Sequence, residues 1–179
     1  MKALMHLALV CPWGVALFDP AVLSDFLRQN QAPQGSDVFE MLRQDPQLRA
    51  YALQDGLVLP MYPLEEDVYT FVHLNACPAR VDWRFCHGPF PLLIESGRLV
   101  AADLFTLAHW DYELFERYHQ PAVRAGTPTE WLPLPPGEYA LTISGGLTGY
   151  GKTYGLHLAP TPGQLPPWPA PMGSLDFNL

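Results

Sequence analysis

Basic residues are scarce in this sequence. Its 179 residues include 10 lysines and arginines against 18 aspartates and glutamates, which gives a net charge of −8 and a pI near 5.0. A protein that binds nucleic acid through the phosphates needs clustered lysine and arginine side chains, so this composition argues against direct nucleic-acid binding. The charge is compatible with attraction to a basic protein partner, and also with a simple contribution to solubility.

Cysteine and long apolar segments are scarce as well. Cys11, Cys77 and Cys86 have no C-x-x-C spacing, so we expect three reduced core residues rather than a zinc site or a catalytic thiol. No apolar run approaches the ~20 residues of a membrane span. The N-terminal segment 1–11 lacks the small residue that precedes a secretion cleavage site, and we interpret it as a strand. We therefore expect a cytoplasmic protein without a membrane segment.

Proline and glycine are abundant, with 20 and 14 residues, and they imply many turns. Between them lie short segments in which apolar residues alternate, such as "DVYTFVHLNA" and "EYALTIS". Helical spacing is found near 20–53 and at 103–119. The sequence therefore predicts a mainly β protein, an antiparallel β-sandwich with short helical inserts in those two regions.

The length and the 49% hydrophobic content suffice for one domain with a sizeable core. We expect a single sandwich domain over residues 1–160, followed by a proline-rich tail over residues 161–179. Phe71 and Tyr139 are predicted to be buried on sandwich strands. Most of the five tryptophans, Trp13 among them, are expected in the core.

The segment Gly146–Thr153 matches the Walker A spelling G-x-x-x-x-G-K-[S/T]. A phosphate-binding loop needs a strand before it and a helix after it, so that backbone N–H groups and Lys152 can hold the phosphates. Strand-like alternation follows Thr153, and then Pro160 and Pro162 argue against a helix. We therefore interpret the segment as a connection between two antiparallel strands, with an exposed Lys152 and no cofactor. A nucleotide-dependent enzyme stays open as an alternative.

A second candidate site surrounds His109. His109, Glu113 and Glu116 are spaced i, i+4 and i+7 on the predicted helix, and their side chains are suitable ligands for zinc, iron or manganese. The H-E-x-x-H order of zincins is absent, so we favour the solvated face of an amphipathic helix and expect no metal. A metal-dependent enzyme using this helix, and a sandwich that binds a small ligand, stay open as alternatives.

The chain carries, in order, "YALQDGLVLPMYPLEEDVYTFVHL", "PFPLLIESGRLVAADL", "LPLPPGEYALTIS" and "TYGLHLAP". This order of turns and strands resembles the competence protein J family, whose members are small inhibitors of a DNA-uptake nuclease. The resemblance covers residues 49–159 with gaps. The chain departs from the family pattern by an insert at roughly 108–129 and by the proline-rich tail.

The resemblance implies a non-enzymatic protein that binds and inhibits a partner, with a basic nuclease or a toxin as the candidates. Carboxylates suit this task because they can stand in for the phosphates that a nuclease attracts. The charge and the expected exposure of the side chains, rather than the family, identify the candidate binding residues. These are Glu65, Glu66, Asp67, Asp111, Glu113 and Glu116.

Overall fold

The structure is a computed structural model, and it describes residues 4–8, 13–74, 82–116, 129–169 and 175–179. Within these residues the chain forms nine strands and five short helices, so the predicted mainly β class is confirmed. None of the described helices combines the length and the hydropathy that crossing a bilayer requires. The elements are β1 (Leu4–Ala8), β2 (Val15–Phe18), α1 (Pro20–Gln29), α2 (Val38–Gln44), α3 (Pro46–Gln54), β3 (Val58–Met61), β4 (Val68–Leu74), β5 (Phe85–Ile94), β6 (Arg98–Asp103), α4 (Leu104–Leu107), α5 (Tyr112–Glu116), β7 (Thr129–Pro133), β8 (Gly137–Thr148) and β9 (Gly151–Pro160).

The strands are divided between two sheets. The five-stranded sheet has the order β1-β4-β9-β8-β5, and the four-stranded sheet has the order β3-β2-β6-β7. The described pairs are antiparallel except for β4 and β9, which run parallel with Phe71 opposite Tyr154. The predicted sandwich therefore includes one mixed sheet. β3 contains Pro60 and lies at an edge, where the missing N–H of proline interrupts no ladder.

The two sheets share one apolar core. Val15 and Leu17 of the four-stranded sheet belong to the same buried cluster as Phe71, Tyr139 and Leu141 of the five-stranded sheet. Phe71 is 0% exposed and Tyr139 is 6% exposed, so both predictions of burial are confirmed. This cluster holds the sandwich together, because removing apolar surface from water is the main favourable contribution to folding.

The helices cover the other face of the four-stranded sheet. Side chains alternate between the two faces of a strand. Ala16 and Phe18 therefore point away from Val15 and Leu17, into a second buried cluster with Trp110 and the apolar face of α1. The protein thus has three layers: the five-stranded sheet, the four-stranded sheet and the helices.

Asp19 connects the helical layer to the turn between β5 and β6. It is fully buried, and its Oδ1 caps α1 by accepting from the amides of Ala21 and Val22 at 2.8 and 3.3 Å. Its Oδ2 accepts from the amides of Glu95 and Ser96 at 2.9 and 2.7 Å, and from the Ser96 hydroxyl at 2.8 Å. The turn that Asp19 holds in this way carries the chain from one sheet to the other.

Parts of the proline-rich tail pack on the sandwich. Within residues 175–179, Phe177 is 4% exposed and belongs to the core between the sheets. The Tyr154 hydroxyl donates to the Phe177 carbonyl at 2.8 Å. The ring of Phe90 contacts both Phe177 and Trp168, with ring centres 6.3 and 5.1 Å away. Residues 175–179 therefore contribute to the core between the sheets.

Candidate functional site

The three acidic residues that follow β3 and Leu64 form an exposed turn, which we call the acidic turn: Glu65, Glu66 and Asp67. The amide of Val68 donates to Oδ1 of Asp67 at 2.7 Å. The hydroxyl of Tyr69 donates to the carbonyl of Glu65 at 3.0 Å. These two contacts hold the turn in place while its carboxylates remain at the surface.

Lys152 lies against the acidic turn. Its Nζ is 2.9 Å from Oδ2 of Asp67 and 3.3 Å from Oε2 of Glu65. The hydrogen bond with Lys152, followed by that from the Val68 amide, lowers the pKa of Asp67. The same contact with Asp67 is the main cause of a raised pKa for Lys152. The three negative charges of the turn and this one positive charge leave a local net charge of −2 at neutral pH.

The Walker-like segment Gly146–Thr153 is the hairpin between β8 and β9. Thr148 pairs with Gly151 across the hairpin, so the two residues between them form the turn and both flanks are strands. A phosphate-binding loop would require a helix after it. The interpretation as a connection between antiparallel strands is confirmed. The expectation of an exposed loop lysine was wrong: Lys152 is a strand residue whose side chain is 19% exposed, because it pairs with the acidic turn.

Trp13 and Phe105 form an exposed aromatic pair beside the acidic turn. They are 48% and 45% exposed, and their ring centres are 6.2 Å apart. Phe105 also contacts His109, and the centres of these two rings are 5.2 Å apart. The amide of Leu64, the residue before Glu65, donates to the Trp13 carbonyl at 3.4 Å. Aromatic side chains are enriched in protein–protein interfaces relative to the rest of the surface.

Strand direction explains why these groups lie together. β2 is antiparallel to β3 and β6, so its first residue lies beside the ends of both, next to Trp13, the acidic turn and Phe105. The parallel pairing of β4 with β9 brings the β8–β9 hairpin to the same end, where Tyr150 is 62% exposed. We call this surface the acidic rim: the acidic turn, the aromatic pair and Tyr150.

The sequence-based prediction missed the aromatic part of the acidic rim. Trp13 was expected in the core, and it is exposed instead because it lies in the turn before β2 rather than on the strand. Its position in that turn was the available signal, since turn residues lie at the surface. The prediction instead followed the general tendency of tryptophan side chains to be buried.

The second group of acidic candidates does not form a stripe on one helix. α4 ends at Leu107 and α5 begins at Tyr112, so His109 lies in the turn between two short helices. His109, Glu113 and Glu116 are therefore not spaced along a single helical face, and the prediction of one continuous helix was wrong here. Residues 117–119 of that prediction lie outside the described residues.

Trp110 is the reason for the break. It is 0% exposed, and the centre of its ring lies 5.8 Å from the ring centre of Phe18 and 4.3 Å from that of Phe115. Its amide donates to the carbonyl of Ser36 at 3.0 Å, and its carbonyl accepts from the amide of Gly35 at 2.8 Å. Because these backbone groups bond to another loop, they cannot continue the i→i−4 ladder of α4.

Asp111 has a structural role. Its Oδ1 accepts from the amide of Leu114 at 3.0 Å, which caps α5, and from Nε2 of Gln34 at 3.0 Å. Glu113 is exposed in the first turn of α5, and Glu116 is the last residue of that helix. The structure thus separates Asp111, which has a role in folding, from Glu113, which is at the surface.

No three histidine, cysteine, aspartate or glutamate side chains of the described residues lie together as metal ligands would. Cys86 is free and exposed, so its predicted place in the core was wrong. Side chains alternate along β5, and Phe85 packs against the core while Cys86 points away from it. Cys11 and Cys77 lie outside the described residues.

Comparisons with known proteins give two structural similarities. No family model matches the sequence, and no curated protein matches it. The crystal structure of ComJ, inhibitor of the DNA degrading activity of NucA, from Bacillus subtilis, is similar with a TM-score of 0.45 and 11% identity, over 89% of this chain and 96% of that chain. A structure described as crocagin biosynthetic gene J has a TM-score of 0.42 and 14% identity, over 91% of this chain and 96% of that chain. The first of these two structures is that of a member of the family that the sequence resembles.

Proposed function

We propose that this chain is a non-enzymatic cytoplasmic protein that binds a basic protein partner through the acidic rim, and that the partner is a nuclease or a toxin which it inhibits. One observation carries the proposal: the turn with three exposed carboxylates directly follows Leu64, whose amide donates to the carbonyl of Trp13, a member of an exposed tryptophan–phenylalanine pair. The resemblance of the sequence to a family of nuclease inhibitors supports the class of partner.

The carboxylates and the aromatic pair have different tasks in this proposal. Exposed charges act over a Debye length of about 8 Å at physiological ionic strength, and they mainly raise the association rate. Trp13 and Phe105 supply apolar area that is removed from water in the complex, and buried aromatic anchors commonly dominate the free energy of binding. Lys152 holds Asp67 and Glu65 near one position, which reduces the side-chain ordering that binding requires.

The helix carboxylates Asp111, Glu113 and Glu116 form a second acidic group that the partner could contact. Glu113 is exposed there, whereas Asp111 caps α5. We therefore assign the leading role in binding to the acidic turn and a secondary role to the helix group.

The Walker-like segment and the region around His109 lack the geometry that a nucleotide site and a helical metal site would require. The Gly146–Thr153 segment has the geometry of a hairpin, and Lys152 faces carboxylates rather than an open phosphate site. His109 is exposed in a turn and is not aligned with Glu113 and Glu116 on one helix. These observations favour a binding protein over a nucleotide- or metal-dependent enzyme.

Affinity capture with purified protein tests the proposal. The wild type, a variant with Glu65→Gln, Glu66→Gln and Asp67→Asn, and a variant with Trp13→Ala and Phe105→Ala are immobilised in parallel. We expect the wild type to retain a basic nuclease or toxin and to inhibit it in proportion to the amount added. We expect neither variant to retain it. Stoichiometric zinc, iron or manganese in the pure protein would contradict the proposal, as would capture that neither variant changes.

A further inference from the structure

A cleft of about 220 Å³ lies between α1, α3 and the end of β5. Its floor is apolar, formed in part by Leu57 and Leu93. Glu95, the first residue of the turn between β5 and β6, borders it. β6 then runs from this turn to the acidic rim, so the cleft lies at the opposite end of the sandwich and shares no residue with the rim.

One wall of the cleft is a pair of stacked aromatic rings. Phe26 of α1 and Tyr51 of α3 have ring centres 5.9 Å apart and an interplanar angle of 27°. Phe26 is 4% exposed, whereas Tyr51 is 50% exposed. Phe26 therefore covers one face of the Tyr51 ring, and Tyr51, which also lines the cleft, keeps half of its surface exposed. An accessible aromatic face attracts planar cations through its π electrons.

Carboxylates surround this wall. The backbone of Glu95 is held by buried Asp19, and the exposed Glu95 carboxylate has no hydrogen bond or ion pair within the described residues. Asp25 pairs with Arg28 at 3.1 Å, but both side chains are well exposed, so this pair is easily exchanged. The charge of Asp55 is the main cause of a raised pKa for Tyr51, which places a third carboxylate beside the wall.

We propose that this cleft binds an alkylguanidinium group, supplied by an arginine side chain of a polypeptide or by a free small molecule. The planar cation stacks on Tyr51, its N–H groups donate to Glu95 and Asp25, and its alkyl chain covers the apolar floor. A guanidinium group suits this site better than an ammonium group, because it is planar, weakly hydrated and able to stack while it donates to carboxylates. The polar lining is completed by the Gln29 amide.

Isothermal titration of the wild-type protein tests this inference. The probes are agmatine, the peptide acetyl-Gly-Arg-Gly-amide, the isosteric neutral peptide with citrulline in place of arginine, and pentylamine. We expect saturable binding of both guanidinium probes, and binding at least tenfold weaker for the citrulline peptide and for pentylamine. A peptide that binds at least tenfold more tightly than agmatine identifies a polypeptide source, and equal affinities identify a free small molecule.

Three variants of exposed side chains locate the site: Glu95→Gln, Asp25→Asn and Tyr51→Leu. Glu95→Gln and Tyr51→Leu are expected to weaken guanidinium binding at least tenfold, Asp25→Asn to weaken it less, and the control Glu113→Gln to leave it unchanged. The inference is overturned if the wild type shows no saturable binding, if the citrulline peptide binds equally well, or if the cleft variants bind like the control. Because the acidic rim is untouched in all three variants, these outcomes are independent of the proposed function.

Discussion

Nζ of Lys152 and Oδ2 of Asp67 lie 2.9 Å apart, and this ion pair joins the start of β9 to the turn before β4. The lysine of a phosphate-binding loop must reach toward the bound nucleotide. Lys152 instead reaches toward carboxylates. The contact thus connects the two most conspicuous polar motifs of the sequence, the Walker-like segment and the Glu-Glu-Asp run. It indicates that Lys152 pairs with the acidic turn rather than with a phosphate.

Lys152→Ala tests this explanation. We expect neither the wild type nor the variant to show a thermal shift with ATP or GTP. A ligand present at 100 times its dissociation constant adds about 2.7 kcal/mol of stability, which a melting curve detects readily. The substitution itself should lower Tm only slightly, since both carboxylate partners of Lys152 are exposed to water and such ion pairs contribute little. Lys152→Arg, which keeps the charge, serves as the control. A nucleotide-dependent shift in the wild type that disappears in Lys152→Ala would contradict the explanation.

Asp19→Ala should be strongly destabilising. The substitution removes the cap of α1 and leaves the amides of Glu95 and Ser96 without their buried acceptor. We expect a loss of about 2–4 kcal/mol in the free energy of unfolding, measured by urea denaturation. Asp37→Ala is the matched control, because Asp37 caps α2 at the surface and should cost about 1 kcal/mol. Equal losses in the two variants would show that the contacts to the β5–β6 turn add no stability.

Phe71→Ala tests the core between the sheets. Phe71 is 0% exposed on an internal strand, and truncation of such a residue costs roughly 3–5 kcal/mol. Val68→Ala, on the same strand but 56% exposed, should change the free energy of unfolding by no more than about 0.5 kcal/mol. Urea titrations of both variants provide the comparison. A cost below about 1 kcal/mol for Phe71→Ala would mean that this strand does not lie in the core.

The strands were largely predictable from the sequence, because their signals are local. Alternation of apolar residues located β4 and β8. The division of consecutive strands between two sheets was not predictable in this way. β5 and β6 are joined by a short turn and yet belong to different sheets, and the contacts that fix this crossing come from Asp19, far away in the sequence.

The candidate site was predictable only in part, for the same physical reason. The Glu-Glu-Asp run was expected to be exposed from its charge, and it is exposed. Its contacts with Lys152 and its nearness to Trp13 depend on which strands pair, and no local pattern contains that information. The predicted helix around His109 failed because the backbone of Trp110 bonds to a loop near residue 35, a tertiary interaction that overrides helical spacing.

Two half-buried histidines predict a pH dependence. Burial lowers the pKa of His73 and of His157 below the usual 6.5, and the charge of His73 lowers that of His157 further. The unfolded chain therefore takes up protons at a higher pH than the folded protein does. The stability that these groups contribute is present above about pH 6.5 and decreases as the pH falls toward their folded pKa values.

Melting curves between pH 8 and pH 5 measure this effect. A variant with His73→Gln and His157→Gln should lose less stability over this range than the wild type. His109→Gln is the control for the loss of a histidine, because the side chain of His109 is exposed at the surface. Parallel profiles for the double variant and the wild type would rule out the two half-buried histidines as the cause.

The association rate with the captured partner, measured at low and high salt, tests the central claim most directly. Wild type is compared with the acidic-turn variant Glu65→Gln, Glu66→Gln, Asp67→Asn, and with a helix variant of equal charge change, Asp111→Asn, Glu113→Gln, Glu116→Gln. Asparagine at position 111 can still cap α5. We predict that the wild-type rate falls as salt rises, and that the acidic-turn variant associates more slowly than the helix variant, with a smaller effect on dissociation. Rates that respond neither to salt nor to either set of substitutions would contradict the account, and would leave the −8 charge as a feature of solubility.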